Sequence, residues 1–228
     1  MDSLISFRQL EKVYRSPAGE FRAIQPMNLE IAEGSFLGVL GHSGCGKSTL
    51  LNLISGIERP SAGMIRVSDR ELGSFSESKL AEFRGRHIGI VFQFFQLIPN
   101  LNLLENIRLP MDLVGKIAKK ERDARAKALL DQVGIGRHAG KLPAQISGGE
   151  QQRVAIARAL ANDPPIVIAD EPTGNLDSEN SAQIRTIFRT FAASGRTVIM
   201  ATHERSQLHQ FSRVLELVDG RVAEDSNA

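Results

Sequence analysis

Apolar positions along the chain repeat with two periods, and the switches between them lay out the elements. Alternation at Ile5, Phe7 and Leu10 predicts an early strand, and Met27 to Ile31 predicts a second. Glu33-Gly34 turns into Ser35-Phe36-Leu37-Gly38-Val39-Leu40, a mostly apolar run that reads as a buried strand. A glycine-rich loop follows at once. After it Leu50, Leu51, Leu53, Ile54 and Ile57 recur at helical spacing, and Pro60 ends that helix. Strand, glycine loop and helix in this order open a parallel α/β unit.

The middle of the chain changes period. From about Asn102 to Asn162 the patterns are helical: Asn102 with Glu105 forms a capping box ahead of Ile107 and Leu109, and Lys119 to Val133 is charged on one face and apolar on the other, with Gly134 as its stop. Strand patterns cover His87 to Phe92, Ile166 to Ala169 and Thr197 to Ala201. Ile184, Ile187, Phe188 and Phe191 mark an amphipathic helix closed near Gly195. Val214 to Val218, Asp219-Gly220 and Arg221-Val222 read as a small hairpin, and the last few residues as a loose tail. The expected arrangement is a single domain over 1–228, an α/β core from 1–93 and 163–228 interrupted by a helical insertion at 94–162.

Composition narrows the classes. The 228 residues are 42% hydrophobic and 24% charged, ordinary for a folded globular chain. A net charge of +2 carries no basic stripe, which argues against a nucleic-acid partner. One cysteine cannot form an intrachain disulfide. The N-terminal stretch lacks a continuous apolar core of a signal peptide, and no apolar run approaches the ~20 residues that span a bilayer, so a soluble, cytosolic chain is expected.

The chemistry begins at Gly41-His42-Ser43-Gly44-Cys45-Gly46-Lys47-Ser48, which fits G-x-x-x-x-G-K-[ST] at every fixed position. Glycines let the backbone fold into a nest of N–H groups around phosphate oxygens, and the following helix presents its positive end to them. Lys47 can reach the β and γ phosphates and the Ser48 hydroxyl can ligate Mg²⁺. No guanine-reading N-K-x-D segment follows, which favours ATP. Farther on, Ile166 to Ala169 delivers Asp170-Glu171 to a strand end, where Asp170 can hold the metal's hydration shell and Glu171 can orient or deprotonate the attacking water. In Ser147-Gly148-Gly149-Glu150-Gln151, Ser147 and Glu150 cap a helix from Gln151 to Leu160; capping alone does not explain two glycines there, each costing ~1 kcal/mol against alanine in a helix. Their exposed N–H groups make a second anion site.

With these motifs in this order, the chain resembles the ATP-binding-cassette ATPases, and the resemblance covers nearly its whole length. It implies a P-loop core, with a RecA-like parallel sheet and an N-terminal antiparallel β part, plus an inserted helical subdomain. It also implies that two copies pair, so that Ser147, Gly148, Gly149 and Glu150 meet ATP held on the partner's loop (Gly41 to Thr49). Gln93 would sense Mg²⁺ and the attacking water, Asp177 would lie at the subunit contact, His203 would hold the γ-phosphate, and Tyr14, the only tyrosine, would stack on adenine. Asp177 also suits a helix cap, His203 a plain surface position, Gln93 a backbone-satisfying role, and Tyr14 core packing. Ile146 stands where the family commonly has leucine. At Cys45 the amide-rich loop and Lys47 favour a thiolate, so inhibition by alkylators, blocked by ATP, is expected, with a silent filler as the alternative.

The same resemblance supplies the setting. The segment Asp170-Glu171-Pro172-Thr173-Gly174-Asn175-Leu176-Asp177, with Leu104-Glu105-Asn106-Ile107, is similar to the branch of macrolide exporters and lipoprotein-release ATPases. The implied partners are a second copy, a transmembrane permease subunit on another chain that docks at Phe94-Phe95 and Leu97-Ile98-Pro99 (a stretch that core packing would explain equally well), and, as a further candidate, a periplasmic adaptor. The implied place is the cytoplasmic face of the inner membrane. The helical insertion is too short for the coiled coils of DNA-repair relatives, and one cassette is too few for translation factors. An ordinary importer or exporter ATPase and a non-transport scaffold in cell division or iron–sulfur assembly remain open alternatives.

Overall fold

The alternation at Ile5, Phe7 and Leu10 skips one position, and the fold explains it. In the computed structural model, which describes residues 3–17 and 19–227, all three are buried in one strand. The register shifts between Phe7 and Leu10, Gln9 takes φ +46°, and its N–H donates to Asn28 Oδ1 at 2.8 Å. That is a β-bulge, which restores the buried face after one extra residue.

The elements in chain order are β1 (Ser3–Ser16), β2 (Gly19–Ala32), β3 (Phe36–Leu40), α1 (Lys47–Ile54), β4 (Ala62–Val67), β5 (Arg70–Glu71), α2 (Glu77–His87), β6 (Ile88–Val91) and α3 (Leu103–Val114). They continue as α4 (Arg122–Gln132), α5 (Gly148–Ala159), β7 (Ile166–Asp170), α6 (Ser178–Ala193), β8 (Thr197–Thr202), β9 (Arg213–Val218) and β10 (Arg221–Asn227). Residues up to 81 with those from 191 onward form one compact unit, and residues 82–190 form another.

In the first unit β2, β1, β4 and β5 make an antiparallel sheet in that order. A second layer runs β10-β9-β3-β8, with β3 parallel to both β8 and β9 and only the β9–β10 pair antiparallel. Every residue of β3 is buried, as its unbroken apolar run requires. Helix α1 packs Leu50, Leu51, Leu53 and Ile54 inward, each worth about 1.5–3 kcal/mol of burial.

In the second unit β6 and β7 pair in parallel, Ile88 opposite Ile166 through Val91 opposite Ala169. Helix α5 packs on β6 and joins α3 and α4. The approach is close at Gly89, where a Cβ would lie 2.4 Å from the Ala159 carbonyl oxygen. The Asn102–Glu105 capping box is present at the start of α3. One turn on, fully buried Asn106 donates to the carbonyls of Ile98, Leu101 and Asn102 and accepts from the Ile98 N–H, fixing the segment ahead of the helix.

Several boundaries differ from the expected ones: β2 begins at Gly19 rather than Met27, and β6 is Ile88–Val91 rather than His87 to Phe92, because His87 ends α2. Helix α1 stops at Ile54, because Gly56 takes φ +65° and the N–H groups of Ile57 and Glu58 both turn back to the Asn52 carbonyl. Residues 119–121 form a 3₁₀ turn before α4 begins at Arg122. Helix α5 starts at Gly148 rather than Gln151. The expected tail is strand instead: β10 pairs with β9 as far as Asn227 opposite Arg213. Asp219 and Gly220, at φ +46° and +72°, make the tight turn between them. No helix among the described residues is long and apolar enough to cross a membrane.

Candidate active site

Strand β3 ends at Leu40 and the glycine loop leaves from its carboxyl end. Leu40 pairs with Thr202 on β8, so Gly41 and His203 emerge side by side from adjacent parallel strands. Ligand sites in parallel sheets sit beyond such strand ends. The loop is closed from behind and open in front. A Cβ at Gly46 would meet the Ala23 carbonyl at 2.6 Å, and one at Gly41 would meet Cys45 Sγ at 2.4 Å and the Leu217 carbonyl at 2.6 Å. At Gly44, with φ +82°, a Cβ would find nothing within 4 Å.

Helix α1 has no side-chain cap at Gly46, so the N–H groups of its first turn are available to an anion. Lys47 is buried and donates to the carbonyls of Gly41 and His42 at 2.8 and 3.1 Å. Its ammonium is thereby held against the loop it would neutralise phosphate beside. Ser43 and Ser48 are exposed and Thr49 half-buried. His42 is exposed too, with Nδ1 2.8 Å from the Ser43 carbonyl.

Cys45 departs from expectation. It is 1% exposed, its sulfur fills the space that a side chain at Gly41 would occupy, and its carbonyl accepts from the Gly220 N–H at 2.9 Å. The thiol is a packing group, not an open nucleophile facing phosphate.

Tyr14 is 37% exposed, which removes core packing as its purpose. Its hydroxyl donates to Glu58 Oε2 at 2.6 Å and lies 3.3 Å from Thr49 Oγ1. Lys12 Nζ stands over the ring, 5.0 Å from its centroid, and 3.0 Å from Glu58 Oε2. Burial first, then Glu58, pushes the phenol above its usual range. Burial also pushes the Glu58 carboxyl up, but hydrogen bonds from Tyr14, Asn52 and Lys12 outweigh it and hold the group below the usual carboxylate range.

The second unit repeats the strand-end logic. Val91 on β6 pairs with Ala169 on β7, so Gln93 and Asp170-Glu171 leave adjacent parallel strands. Gly174 then brings two side chains together: a Cβ there would lie 3.4 Å from Gln93 Nε2 and 3.5 Å from Glu171 Oε2. Glu171 sits at φ +43°, a costly backbone region for a residue with a side chain. Asn175 donates to the Gln93 carbonyl at 3.2 Å. Asp177 does cap α6: it accepts from the Asn180 N–H and side-chain amide, both at 2.8 Å, and those bonds hold its carboxyl below the usual range.

At the start of α5, Ser147 and Glu150 form the expected capping box. The Ser147 N–H and hydroxyl both donate to Glu150 Oε2 at 2.9 Å, and hold that carboxyl low. Gly148 has the Phe95 ring 3.6 Å from where its Cβ would be. Gly149 is buried, and a Cβ would run into Asn180 Oδ1 at 2.3 Å. Packing therefore accounts for the second glycine, whether or not its N–H meets an anion.

Three contacts of α5 have no signature in the sequence. Gln152, wholly buried, donates to the Pro172 carbonyl at 2.8 Å. Arg153 donates to Asn180 Oδ1 and Gln183 Oε1. Arg158 donates to the carbonyls of Gln96 and Phe95 at 2.5 and 2.9 Å, and burial pulls its guanidinium below its usual range. Helix α5 is thus tied to the segments that follow both Gln93 and Glu171. In the apolar stretch after Gln93, Phe94 is 70% exposed and Ile98 39%.

Residues 24–174 match the family described as ABC transporter. The chain is 40% identical to the lipoprotein-releasing system ATP-binding protein LolD of Aquifex aeolicus, over 97% of both chains. It is 41% identical to the macrolide export ATP-binding/permease protein MacB of Rhodospirillum rubrum, over 98% of this chain and 34% of that longer one. Among solved structures, the ATP-binding cassette MJ0796, a dimer in a post-hydrolysis state bound to ADP and Pi, superposes with a TM-score of 0.91 at 37% identity, covering 98% of each chain.

Proposed function

This chain belongs to the ATP-binding cassette family of transporter ATPases, and from that premise we propose how its residues divide the work of hydrolysing ATP. Water attacks the γ-phosphorus in line, and the protein contributes positioning and charge rather than covalent chemistry. The amides of Gly41 to Thr49 and the Lys47 ammonium hold the phosphates, and His203, beside that loop, holds the γ-phosphate. Glu171 orients and deprotonates the water, with Gln93 next to it. Tyr14 carries the adenine.

Ser48, Asp170 and Gln93 would hold Mg²⁺, which supplies charge neutralisation on the phosphates. The donor set fits such an ion in chemistry: a hydroxyl, a carboxylate and an amide oxygen are hard ligands of the kind Mg²⁺ takes beside phosphates and water.

The observation that carries this reading is the convergence of Gln93 Nε2 and Glu171 Oε2 at Gly174, beyond the ends of paired parallel strands. Ser147, Gly148, Gly149 and Glu150 serve a second copy, reaching the ATP on its loop, and Asp177 lies at the contact between copies. Closing on ATP and reopening after hydrolysis is the stroke, driven by the difference in ATP affinity between the two states.

The work is done on a permease carried by another chain, with the exposed Phe94 and Ile98 as the docking point and a periplasmic adaptor as a further partner. In this reading the protein works on the cytoplasmic face of the inner membrane, in a system of the macrolide-export and lipoprotein-release type. Its inserted helical part, 94–162, carries both the docking segment and the signature. Turnover measured against protein concentration tests the pairing: the rate per molecule should fall on dilution, and a rate that stays constant down to isolated copies would refute the reading.

A further inference from the structure

Glu58 lies outside every motif, yet both of its carboxylate oxygens are occupied. Oε2 accepts from the Tyr14 hydroxyl at 2.6 Å and from Lys12 Nζ at 3.0 Å, and Oε1 accepts from Asn52 Nδ2 at 3.0 Å. Its backbone N–H donates to the Asn52 carbonyl at 3.1 Å, so the residue is anchored to the end of α1 by main chain and side chain together. Lys12 is held in turn by the Arg59 carbonyl at 3.0 Å. Two of these groups, Lys12 and Tyr14, stand on β1, and Asn52 stands on α1, the helix that the glycine loop opens.

We propose that Glu58 is a positioning residue for nucleobase recognition: clamped by Lys12 and Asn52, its carboxylate fixes the Tyr14 ring as the platform on which the base rests. This rests on the reading of Tyr14 given above. A tyrosine 37% exposed on a strand has several staggered rotamers open to it, and a base stacking on a mobile ring must first freeze it. A short hydrogen bond to an ionised acceptor is among the stronger ones a phenol can make. Thr49, 3.3 Å from the same hydroxyl, belongs to the first turn of α1, so the ring is referenced directly to the phosphate cradle. Lys12, over the ring, is already partnered by Glu58 and leaves the carboxylate balanced rather than repelling the nucleotide's phosphates.

The chain contains one tyrosine and no tryptophan, so its intrinsic fluorescence reports on Tyr14 alone. The full chain is titrated with MgADP and, separately, with magnesium tripolyphosphate, which has the phosphates without the base. Tyr14 emission should respond to MgADP and not to tripolyphosphate. In Glu58→Gln and Glu58→Ala the MgADP midpoint should rise roughly five- to tenfold, while inhibition of ATP hydrolysis by tripolyphosphate keeps its midpoint. Glu58→Gln preserves the shape and one acceptor oxygen while removing the charge and the second acceptor, so it answers the question even where Glu58→Ala folds poorly. It should also lower the pH at which the single phenol ionises, because the carboxylate no longer helps retain the proton.

Equal MgADP midpoints in wild type and both variants overturn the proposal and leave Tyr14 as the platform. Parallel shifts with MgADP and tripolyphosphate overturn it as well, in favour of a purely structural ion pair. Wild-type emission indifferent to MgADP that still inhibits hydrolysis removes the platform itself, and the proposal with it.

Discussion

Gln152 reaches from α5 to the peptide that follows Glu171, donating Nε2 to the Pro172 carbonyl at 2.8 Å inside a fully buried site. The helix that begins at Ser147 therefore holds the backbone next to the proposed base, five residues from its own N-cap. Gln152→Leu should leave that carbonyl unpaired at a cost of about 1–3 kcal/mol, partly offset because the partnerless Gln152 Oε1 disappears too. Turnover should drop more than nucleotide affinity. Steady-state rates set against MgADP binding midpoints check this, and equal losses in both would contradict it.

Glu171→Gln should bind ATP without consuming it and collect as a paired form, since the γ-phosphate contacts persist. Light scattering on a sizing column with saturating MgATP gives the answer. A monomer under those conditions counts against pairing around ATP.

Lys47→Ala should lose nucleotide affinity, because the ammonium that balances the phosphates is gone. The buried Gly41 carbonyl and the part-buried His42 carbonyl lose their donor at the same time. The expected loss is about tenfold or more, on the scale of a hydrogen bond to a charged group. Equilibrium binding of MgADP measures it, with the melting temperature without nucleotide recorded beside it to separate lost affinity from lost folding.

Cys45 should label slowly in the folded protein and rapidly in denaturant, since it is 1% exposed and fills the space beside Gly41. Stoichiometric modification by a maleimide in native buffer within the time of the denatured reaction would show the thiol open to solvent.

Stability should fall on acidification as Glu150 takes up a proton. Its carboxyl is held below its ordinary value by the Ser147 N–H and hydroxyl. A depressed native pKa contributes stability that is complete above the unfolded value of about 4.3 and is lost as the pH falls through the lower native one. Glu150→Gln keeps the capping box without the charge, so the acid side of its unfolding profile should be flatter. Urea midpoints across that range test the slope.

Much of this was legible beforehand where one local rule decides the outcome. Ile5, Phe7 and Leu10 lie on one strand, and Asn102 with Glu105 and Ser147 with Glu150 are caps. The strands that lead to Gln93 and Asp170 follow from apolar runs. What stayed hidden is decided by partners far along the chain. Tyr14 and Glu58 are 44 residues apart, and Arg158 reaches carbonyls 62 and 63 residues back. Helix α2 buries Leu80 and Phe83 without a clear stripe, and polar β10 is strand only because β9 offers it a ladder. The alternation at Ile65 and Val67 on β4 did carry a signal, short enough to pass unread. Of the two roles open to Cys45 the structure supports the filler, because its environment is set by the glycine four residues before it, whose missing side chain it replaces.

A methyl group at Gly149 would press on the Asn180 amide, which could yield only by giving up its bonds to Asp177 and Arg153. The two positions are therefore coupled. A sister chain that carries alanine at 149 should have shrunk position 180 to match, and introducing both changes here should restore what either alone removes.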